Sequence, residues 1–449
     1  MTAMFDLLLK GGTVFTPNGP VECDVAVSGG RIAALGNFER HAAQAVHELK
    51  GLTVLPGVID SQVHFREPGL EHKEDLESGT RAAALGGVTA LFEMPNTNPS
   101  TLTAKALNDK LARAEGRAWT DFAFYMGAAE ENADKLAELE MLPGCSGVKI
   151  FMGSSTGSLL VEDDESLRRV LSSGRRRVAV HAEDEVRLRE RLSVIEEGSG
   201  SEMHPVWRDV ETAVKATKRL LALSRETGRR VHVLHITTGD EVALLAEHKD
   251  MVTCEVTPQH LTLSAPECYE RLGALAQMNP PIRDAEHREA LWEGVRQGVF
   301  DVLGSDHAPH TRDEKEGVYP RIPSGMPGVQ TLLPLMLDHV NAGRLTLQRL
   351  VDMTSAGPQR IFGLAAKGRI ARGYDADFTV VDMGRSETIS SYWLASKCGW
   401  SPFEGMKVKG WPVMTIIRGE TVMQDGELLK QPSGQAIRFQ ETIPPQPTD

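Results

Sequence analysis

The sequence has no apolar stretch long enough to span a membrane, few cysteines and a deficit of positive charge. Without such a stretch we do not expect a transmembrane protein. The N-terminus has neither a basic leader nor a small-residue cleavage pattern, so we interpret its short apolar patch as a first strand and not as a signal peptide. The formal net charge of −13 disfavours nucleic acid and anionic membranes as partners. An anionic substrate would therefore need local cationic groups to hold it.

The five cysteines are scattered along the chain and odd in number. This argues against a disulfide framework and predicts a cytoplasmic protein in a reducing compartment. The chain of 449 residues is 41% hydrophobic, which is enough for a proper core. Its length fits a large α/β barrel plus about one smaller domain.

Eight short apolar or β-branched runs alternate with longer amphipathic stretches from residue 50 onward. The runs are TVLPGVID, VTALFEMP, DFAFYMGA, GVKIFMG, RVAVHAE, RVHVLHIT, VTCEVTP and FDVLGSD. Because parallel neighbours in a sheet need helical crossovers, the alternation predicts an α/β fold, a (β/α)₈ TIM-type barrel over residues 56–365. Three helical patterns end at Gly116, Gly228 and Gly298, as expected of helix C-caps.

Both ends of the chain show short strands separated by Gly, Pro and Asn turns. Residues 1–55 and 366–449 are therefore predicted to build one small β-sandwich domain from both termini. The ends of a closed barrel lie near each other, which favours this interpretation. Two separate appendages are the alternative.

Polar residues at the C-terminal ends of barrel strands are the candidates for chemistry. Three imidazoles and a carboxylate at one mouth favour Zn²⁺ or a similar borderline ion; they belong to His64, His181, His235 and Asp306. Most of the 14 histidines must be structural or solvated. We interpret His232 and His307 as structural or solvated residues. For His232 the reason is its offset of three from His235, which turns it to the opposite face of a strand.

Lys149 lies within the apolar run GVKIFMG. Burial there would lower its pKa and leave a neutral amine able to react with CO₂, giving a carbamate that could bridge two metal ions. The alternative is a lysine that reaches solvent or pairs with a nearby carboxylate. Spacing alone does not choose between them.

Strand alternation places Gln62, His64 and Arg66 on one face. Arg66 is a fixed positive charge that can bind a carboxylate bidentately, and a salt bridge to Glu67 is the alternative. Further candidates for substrate binding are polar residues that could equally be turn or loop residues; they are Asn96, Asn279 and His310.

The chain resembles the amidohydrolase superfamily and, more closely, the class I dihydroorotases. The resemblance is carried by VHFREPG, HKEDLESGTRAAALGGVT, MPNTNP, CEVTPQHL, MNPPIR, SDHAPH, PSGMPG and SPFEG. It implies reversible hydrolysis of the cyclic amide of L-dihydroorotate to N-carbamoyl-L-aspartate in de novo pyrimidine biosynthesis. Allantoinases and dihydropyrimidinases share this fold but lack an arginine at the position of Arg66.

The resemblance also implies roles for individual residues. Asp306 matches the general base and acid, and it is a metal ligand together with His64, His181 and His235. One or two Zn²⁺ ions per subunit are implied, and Lys149 matches a lysine that is carbamylated in many members. The positions that hold or cover the substrate match Arg66, Asn96, Asn279, His310, Ser324 and Gly325. A homodimer and an association with aspartate transcarbamoylase are implied as well.

Gln62 departs from the family pattern, which has a histidine there. A glutamine offers a neutral carbonyl oxygen, a weaker ligand for Zn²⁺ than imidazole. Gln62 could bind the metal weakly, or one of two metal positions could be empty. A third alternative is a non-catalytic subunit that assembles with a transcarbamoylase, and a hydantoinase or other cyclic-imide hydrolase is the alternative activity. Retention of the other site residues favours an enzyme.

Overall fold

A computed structural model of the chain describes residues 4–153 and 159–443. Its strands, in chain order, are β1 (Phe5–Thr16), β2 (Gly19–Ser28), β3 (Arg31–Gly36), β4 (Ala43–Glu48), β5 (Thr53–Pro56), β6 (Val58–Val63), β7 (Val88–Glu93), β8 (Asp121–Gly127), β9 (Cys145–Phe151), β10 (Val178–His181), β11 (Val231–Val233), β12 (Val252–Val256), β13 (Val302–Leu303), β14 (Phe378–Thr388), β15 (Lys407–Ile417), β16 (Glu420–Gln424) and β17 (Glu427–Leu428). A strand in each of the eight predicted runs is confirmed.

The helices alternate with the central strands. They are α1 (Leu76–Leu85), α2 (Ala104–Ala114), α3 (Leu136–Leu139), α4 (Asp164–Leu171), α5 (Glu185–Arg191), α6 (His204–Trp207), α7 (Val210–Thr227), α8 (Gly239–Ala246), α9 (Pro258–Thr262), α10 (Glu267–Leu272), α11 (Ala285–Gln297), α12 (Arg312–Lys315), α13 (Leu332–Asn341), α14 (Leu347–Val351) and α15 (Gly357–Phe362).

Local sequence signals set the limits of the long helices. Asp209 caps the first turn of α7 by accepting a hydrogen bond from Thr212 N at 3.0 Å. The same helix ends at Gly228, whose φ of 69° is the left-handed conformation that favours glycine. Gly298 ends α11 in the same way, with φ 79°. Gly116 also has a positive φ but lies one residue beyond the cap of α2, which is Glu115.

The strands β6 to β13 form one parallel sheet in sequential order. Its two edges meet where His64 N donates to His307 O at 2.7 Å, next to a parallel bridge between Val63 and His307. The sheet is therefore a nearly closed eight-stranded barrel with helices outside it. The predicted TIM-type barrel is confirmed.

The remaining nine strands form a second, largely antiparallel sheet in the order β17-β16-β15-β14-β5-β1-β2-β3, with β4 beside β1. The pairing of β14 with β5 joins the C-terminal strands to the N-terminal ones. Side chains from both ends share one apolar core, including Val14, Val25, Phe378 and Ile416. The small β-domain built from both termini is confirmed, while its limits at residues 55 and 366 stay a prediction.

The barrel interior is apolar towards the N-terminal ends of its strands. Phe92 and Tyr125 pack there against Phe362, and Phe439 from the C-terminal segment contacts Phe92. These rings are part of the apolar core of the barrel, whereas the polar candidates lie at the C-terminal ends of the strands. Within the two described ranges, no helix has both the length and the apolar character needed to cross a bilayer.

Candidate active site

A small cavity of about 80 Å³ opens at the C-terminal ends of the barrel strands. It is lined by Gln62, His64, Arg66, Asn96, Lys149, Phe151, His181, His235, Asn279, Asp306, Ala308, Ser324 and Gly325. Every site residue predicted from the sequence is in this set except His310, which lies directly behind Arg66.

Three residues of the cavity wall have an unusual backbone conformation. Arg66, His235 and Asp306 have φ values of 66°, 37° and 44°, and they are half of the six non-glycine residues with positive φ in the described chain. Such conformations are disfavoured for residues with a Cβ and persist only where the surrounding structure imposes them. Their concentration at one cavity supports a functional site.

The side chains of the first barrel strand do not reach the cavity by the regular alternation that we predicted. β6 ends at Val63, and its pairing with β7 shifts register between Asp60 and Val63, so that simple alternation does not continue to Arg66. Gln62, His64 and Arg66 nevertheless all line the cavity. The irregular register and the positive φ of Arg66 direct these side chains into the cavity. Regular alternation of side chains along the strand does not.

Two of these side chains lie close to the Asp306 carboxylate. Gln62 Nε2 donates to Asp306 Oδ1 at 3.0 Å, and His64 Nε2 lies 3.2 Å from the same oxygen. Burial lowers the pKa of His64, which keeps the ring neutral. Its Nδ1 lies 2.8 Å from Asn96 Oδ1 and donates to that carbonyl oxygen. The lone pair of Nε2 then faces a carboxylate oxygen, an arrangement that a cation between them stabilises.

His181 and His235 form a second pair. His181 Nδ1 lies 3.0 Å from His235 Nε2, and the other nitrogen of His181 lies 2.7 Å from Glu183 Oε2. Burial alone would raise the pKa of Glu183, but Arg208 and His181 hold it well below its usual range. An ionised carboxylate only accepts, so His181 carries its proton on Nε2 and presents the lone pair of Nδ1 to His235.

Lys149 lies between these two pairs on the cavity wall. Its side chain is 1% exposed and has no carboxylate partner within 4.0 Å among the described residues. The Nζ atom lies 4.4 Å from the centre of the Phe151 ring. Burial lowers the pKa of Lys149 to about 7, against the opposing effect of Asp306 and Glu255. The snorkelling and ion-pair alternatives for Lys149 therefore do not hold for the described part of the chain.

The cavity has the types of ligand atom that a borderline divalent ion prefers. They lie as two separate pairs, His64 with Asp306 and His181 with His235. Within residues 4–153 and 159–443, no three His, Cys, Asp or Glu side chains already form a metal-binding group. Gln62 Oε1 and His235 Nδ1 are buried and lack hydrogen-bond partners in that same part of the chain. Neutral imidazoles, a carboxylate, a free amide oxygen and a buried amine together fit an ion placed between the pairs.

Arg66 has the electrostatic character of an anion-binding group. It is 7% exposed, and no carboxylate of the described residues lies within 4.0 Å of its guanidinium. The predicted alternative, a salt bridge to Glu67, is not formed, because Glu67 pairs with Arg117 at 2.7 Å. Burial lowers the pKa of Arg66 to about 10, which still leaves it charged at neutral pH. A buried guanidinium on a cavity wall without a carboxylate partner favours an anionic ligand.

His310 lies beside Arg66 and is held by contacts at both ring nitrogens. Its Nε2 lies 3.3 Å from Arg66 Nη2 and 3.1 Å from Ser324 O, while its Nδ1 lies 3.1 Å from Lys73 Nζ. Burial, with Arg66 and Lys73 nearby, lowers the pKa of His310 well below its usual value. The neutral ring accepts from the Lys73 ammonium at Nδ1 and carries its proton on Nε2. The His310 proton therefore points at Ser324 O, beside the Arg66 guanidinium.

The asparagines and the Ser324 segment complete the wall. Asn279 Oδ1 lies 2.8 Å from His204 Nε2, which fixes the amide. Ser324 Oγ accepts from Gln277 Nε2 at 3.0 Å, and Gly325 N donates to Gln277 O at 2.9 Å. A Cβ on Gly325, whose φ is 140°, would meet Ala308 O at 2.4 Å. Only glycine therefore allows this segment to approach the cavity so closely.

The two histidines interpreted as structural lie outside the cavity lining. His232 is fully buried and its Nδ1 lies 2.9 Å from Thr253 Oγ1. His307 accepts from Gly328 N at 3.1 Å through Nδ1, and its Nε2 lies 3.3 Å from Glu74. Both side chains connect elements of the barrel.

Sequence reasoning missed several residues that shape the site. Glu183 orients His181, Lys73 sets the tautomer of His310, and Phe151 lies against Lys149. The two-residue spacings from His181 to Glu183 and from Lys149 to Phe151 were available signals, since such residues share a face of a strand. Lys73 gave no such signal, because it reaches His310 across 237 positions.

The chain is similar to known hydrolases over nearly its whole length. A family model described as "Amidohydrolase family" matches residues 53–422. A dihydroorotase of Halobacterium salinarum is 38% identical over 418 residues, covering 92% of this chain and 96% of that protein. An allantoinase of Rubrobacter xylanophilus is 37% identical over 453 residues, covering 97% of this chain and 98% of that protein.

Among solved structures, an L-hydantoinase (dihydropyrimidinase) from Arthrobacter aurescens superposes with a TM-score of 0.91 at 32% identity. The match covers 97% of this chain and 100% of that one. The cavity described above thus lies in a fold shared with enzymes named for cyclic amide substrates. The extent of the family match and the identity to these relatives show that the chain belongs to the amidohydrolase family.

Proposed function

We propose that the protein is a dihydroorotase, which hydrolyses the cyclic amide of L-dihydroorotate to N-carbamoyl-L-aspartate and catalyses the reverse reaction. The observation that carries the proposal is the Arg66 guanidinium, buried on the cavity wall without a carboxylate partner in the described chain and next to His310. Dihydroorotate carries a carboxylate beside its cyclic amide. Hydantoins and dihydrouracil have the cyclic amide alone.

The proposed metal ligands are His64, His181, His235 and Asp306, with carbamylated Lys149 as a bridge and Gln62 as a weak ligand. When bound, one or two Zn²⁺ ions would activate water and polarise the amide carbonyl. Glu183 holds His181 in the tautomer that such a site requires.

Asp306 is placed to move the proton of the reaction. It accepts a proton from the water whose oxygen bonds to the amide carbon, and it returns that proton to the ring nitrogen as the carbon–nitrogen bond breaks. Gln62 Nε2 donates to its Oδ1 at 3.0 Å and thereby fixes the direction of the carboxylate. In the reverse direction the same carboxylate takes the proton from the attacking nitrogen.

The substrate carboxylate is held away from Asp306 by the cationic side of the cavity. Arg66 and His310 contact it, while the Asn96 and Asn279 amides contact the ring. The Ser324–Gly325 backbone lies over the site, held by Gln277. A neutral cyclic amide would leave Arg66 buried and unpaired, so the site discriminates against it.

Steady-state kinetics of the wild-type enzyme with three substrates tests the proposal. We expect kcat/KM for L-dihydroorotate to exceed that for dihydrouracil and hydantoin by at least a hundredfold. Equal or better turnover of the neutral substrates would instead select the hydantoinase alternative. Metal-replete protein that converts none of the three would select the non-catalytic alternative.

A homodimer and an association with aspartate transcarbamoylase are also part of the proposal. Light scattering of the purified protein, alone and mixed with the transcarbamoylase, measures both.

A further inference from the structure

A second cavity, of about 160 Å³, lies at the opposite end of the barrel from the active site. It opens where β9, β10 and β11 begin and where the chain returns after α15. Its charged and polar lining comprises Ser146, Arg176, Arg177, Arg230, Arg360, Gln440 and Glu441. Four guanidinium groups and one carboxylate give it a local positive charge in a chain whose formal net charge is −13.

Two of the four arginines already pair with a carboxylate. Arg176 donates to Cys145 O at 2.7 Å and lies 3.4 Å from Glu441 Oε2. Arg360 lies 3.4 Å from Asp352. The contact with Arg176 occupies Glu441, the one carboxylate among the described residues that line the cavity.

Arg177 and Arg230 have no carboxylate within 4.0 Å among the residues that the structure describes. Arg177 is partly buried, and its Nη1 donates to Val231 O at 2.9 Å. Its Nε is buried and has no partner in the described chain. Burial and the like charge of Arg230 lower the pKa of Arg177 to about 10, so it remains cationic at neutral pH. A partly buried cation next to a second cation is stabilised by a bound anion.

Ser146 supplies an independent indication. Its side chain is 2% exposed, and its hydroxyl has no hydrogen-bond partner among the described residues. A buried hydroxyl is nearly always hydrogen-bonded in a native protein. Ser146 lines the same cavity as Arg177, whose Nε also lacks a partner in the described chain.

We propose that this cavity binds a small tetrahedral oxyanion, either inorganic phosphate or the phosphoryl group of a larger metabolite. Arg177 and Arg230 would neutralise its charge, and the Ser146 hydroxyl would donate to one of its oxygens. The volume suits one phosphoryl group. The site is separated from the active site by the length of the barrel, so its occupancy is measured without turnover and independently of the proposed activity.

Calorimetric titration with inorganic phosphate at constant ionic strength tests this site. Four proteins are compared: wild type, Arg230→Gln, Ser146→Ala and the matched control Arg225→Gln. Arg225 is an arginine of α7 that pairs with Asp250 at 3.5 Å and does not line the cavity. We expect one saturable site in wild type and control, and binding at least tenfold weaker in Arg230→Gln and in Ser146→Ala.

Thermal unfolding in the presence and absence of phosphate provides the second measurement. A ligand that binds only the folded state raises Tm in a saturable way, and we expect this shift in wild type and Arg225→Gln but not in Arg230→Gln. Comparable affinity for ribose 5-phosphate would identify a phosphate ester as the ligand class, whereas binding of inorganic phosphate alone would identify the free ion. The proposal is wrong if wild type has no saturable site, or if both cavity variants bind phosphate as tightly as wild type.

Discussion

Gln62 Nε2 donates a hydrogen bond to Asp306 Oδ1 at 3.0 Å where the first and last strands of the barrel meet. The amide thereby fixes the carboxylate that we propose as the general base. Its own Oε1 is buried without a partner in the described chain and remains free to bind a cation. A residue that departs from the family pattern therefore retains a position in the site and keeps one weak ligand atom.

Replacing Gln62 by histidine is expected to increase the metal content of the purified protein. An imidazole nitrogen is a stronger ligand for Zn²⁺ than an amide oxygen, and the side chain already faces Asp306 and His64. Metal analysis after dialysis against a fixed free Zn²⁺ concentration measures the effect. Gln62→Leu, which has a similar size and no ligand atom, is the control and should hold less metal than wild type. Equal metal content in all three proteins would show that this position does not contact the ion.

Replacing Arg66 by glutamine is expected to lower kcat/KM for dihydroorotate roughly a hundredfold, about 3 kcal/mol, because a buried charge pair with the substrate carboxylate is lost. Dihydrouracil has no carboxylate, and its slow turnover should change little. Parallel kinetics with both substrates separates this role from general damage to the site. A similar loss for both substrates would contradict the assignment of Arg66 to the carboxylate.

Replacing Glu183 by glutamine is expected to weaken Zn²⁺ binding about 10- to 100-fold, because the carboxylate orients His181. Competition with a chromogenic chelator measures the affinity. Asp184→Asn is the matched control: its carboxylate caps α5 and pairs with Lys215 and Arg219, and it makes no contact with His181. An unchanged Zn²⁺ affinity in Glu183→Gln would contradict the orienting role of Glu183.

Asp209 is expected to stabilise the fold at neutral pH and to lose that effect in acid. Burial alone would raise its pKa, but hydrogen bonds from Arg187 and Thr212 outweigh burial and lower the pKa to about 2. Because the folded-state pKa lies below the ordinary value of 3.8, the stabilisation is present above pH 4 and is lost as the pH falls through 2.

Urea unfolding of wild type and Asp209→Asn between pH 2 and pH 7 measures this effect. Asparagine is also a good helix cap, so the comparison reports mainly the contacts with Arg187 and Arg191. We expect a difference in the free energy of unfolding that is constant from pH 5 to pH 7 and shrinks in more acidic buffer. A difference that does not depend on pH would contradict the lowered pKa.

The barrel and most of its cavity could be predicted because they follow from short-range patterns. Apolar runs such as GVKIFMG predict buried strands, and the polar residues at their ends, such as His181, must then meet at one mouth. The composite β-domain also followed, since the same turn-rich pattern occurs at both ends of the chain.

The finer geometry could not be predicted, because it depends on contacts between distant loops. Nothing in the local sequence indicates that β6 shifts register before Val63 or that Arg66 adopts a positive φ. The partner of Glu67 is Arg117, 50 positions away, and this pairing is what leaves Arg66 without a carboxylate. Packing in the folded chain decides which acidic and basic residues form an ion pair. The order of residues in the sequence does not contain that information.

The most direct test of the account is the conversion of L-dihydroorotate by Zn²⁺-loaded wild-type protein and by Asp306→Asn, followed in both directions. We expect the wild type to form N-carbamoyl-L-aspartate and to catalyse its cyclisation. Asp306→Asn should lower both rates about 10²- to 10⁴-fold, as expected for removal of a general base. Absence of turnover by metal-replete wild type, or equal rates in the two proteins, would contradict the proposed activity and its mechanism.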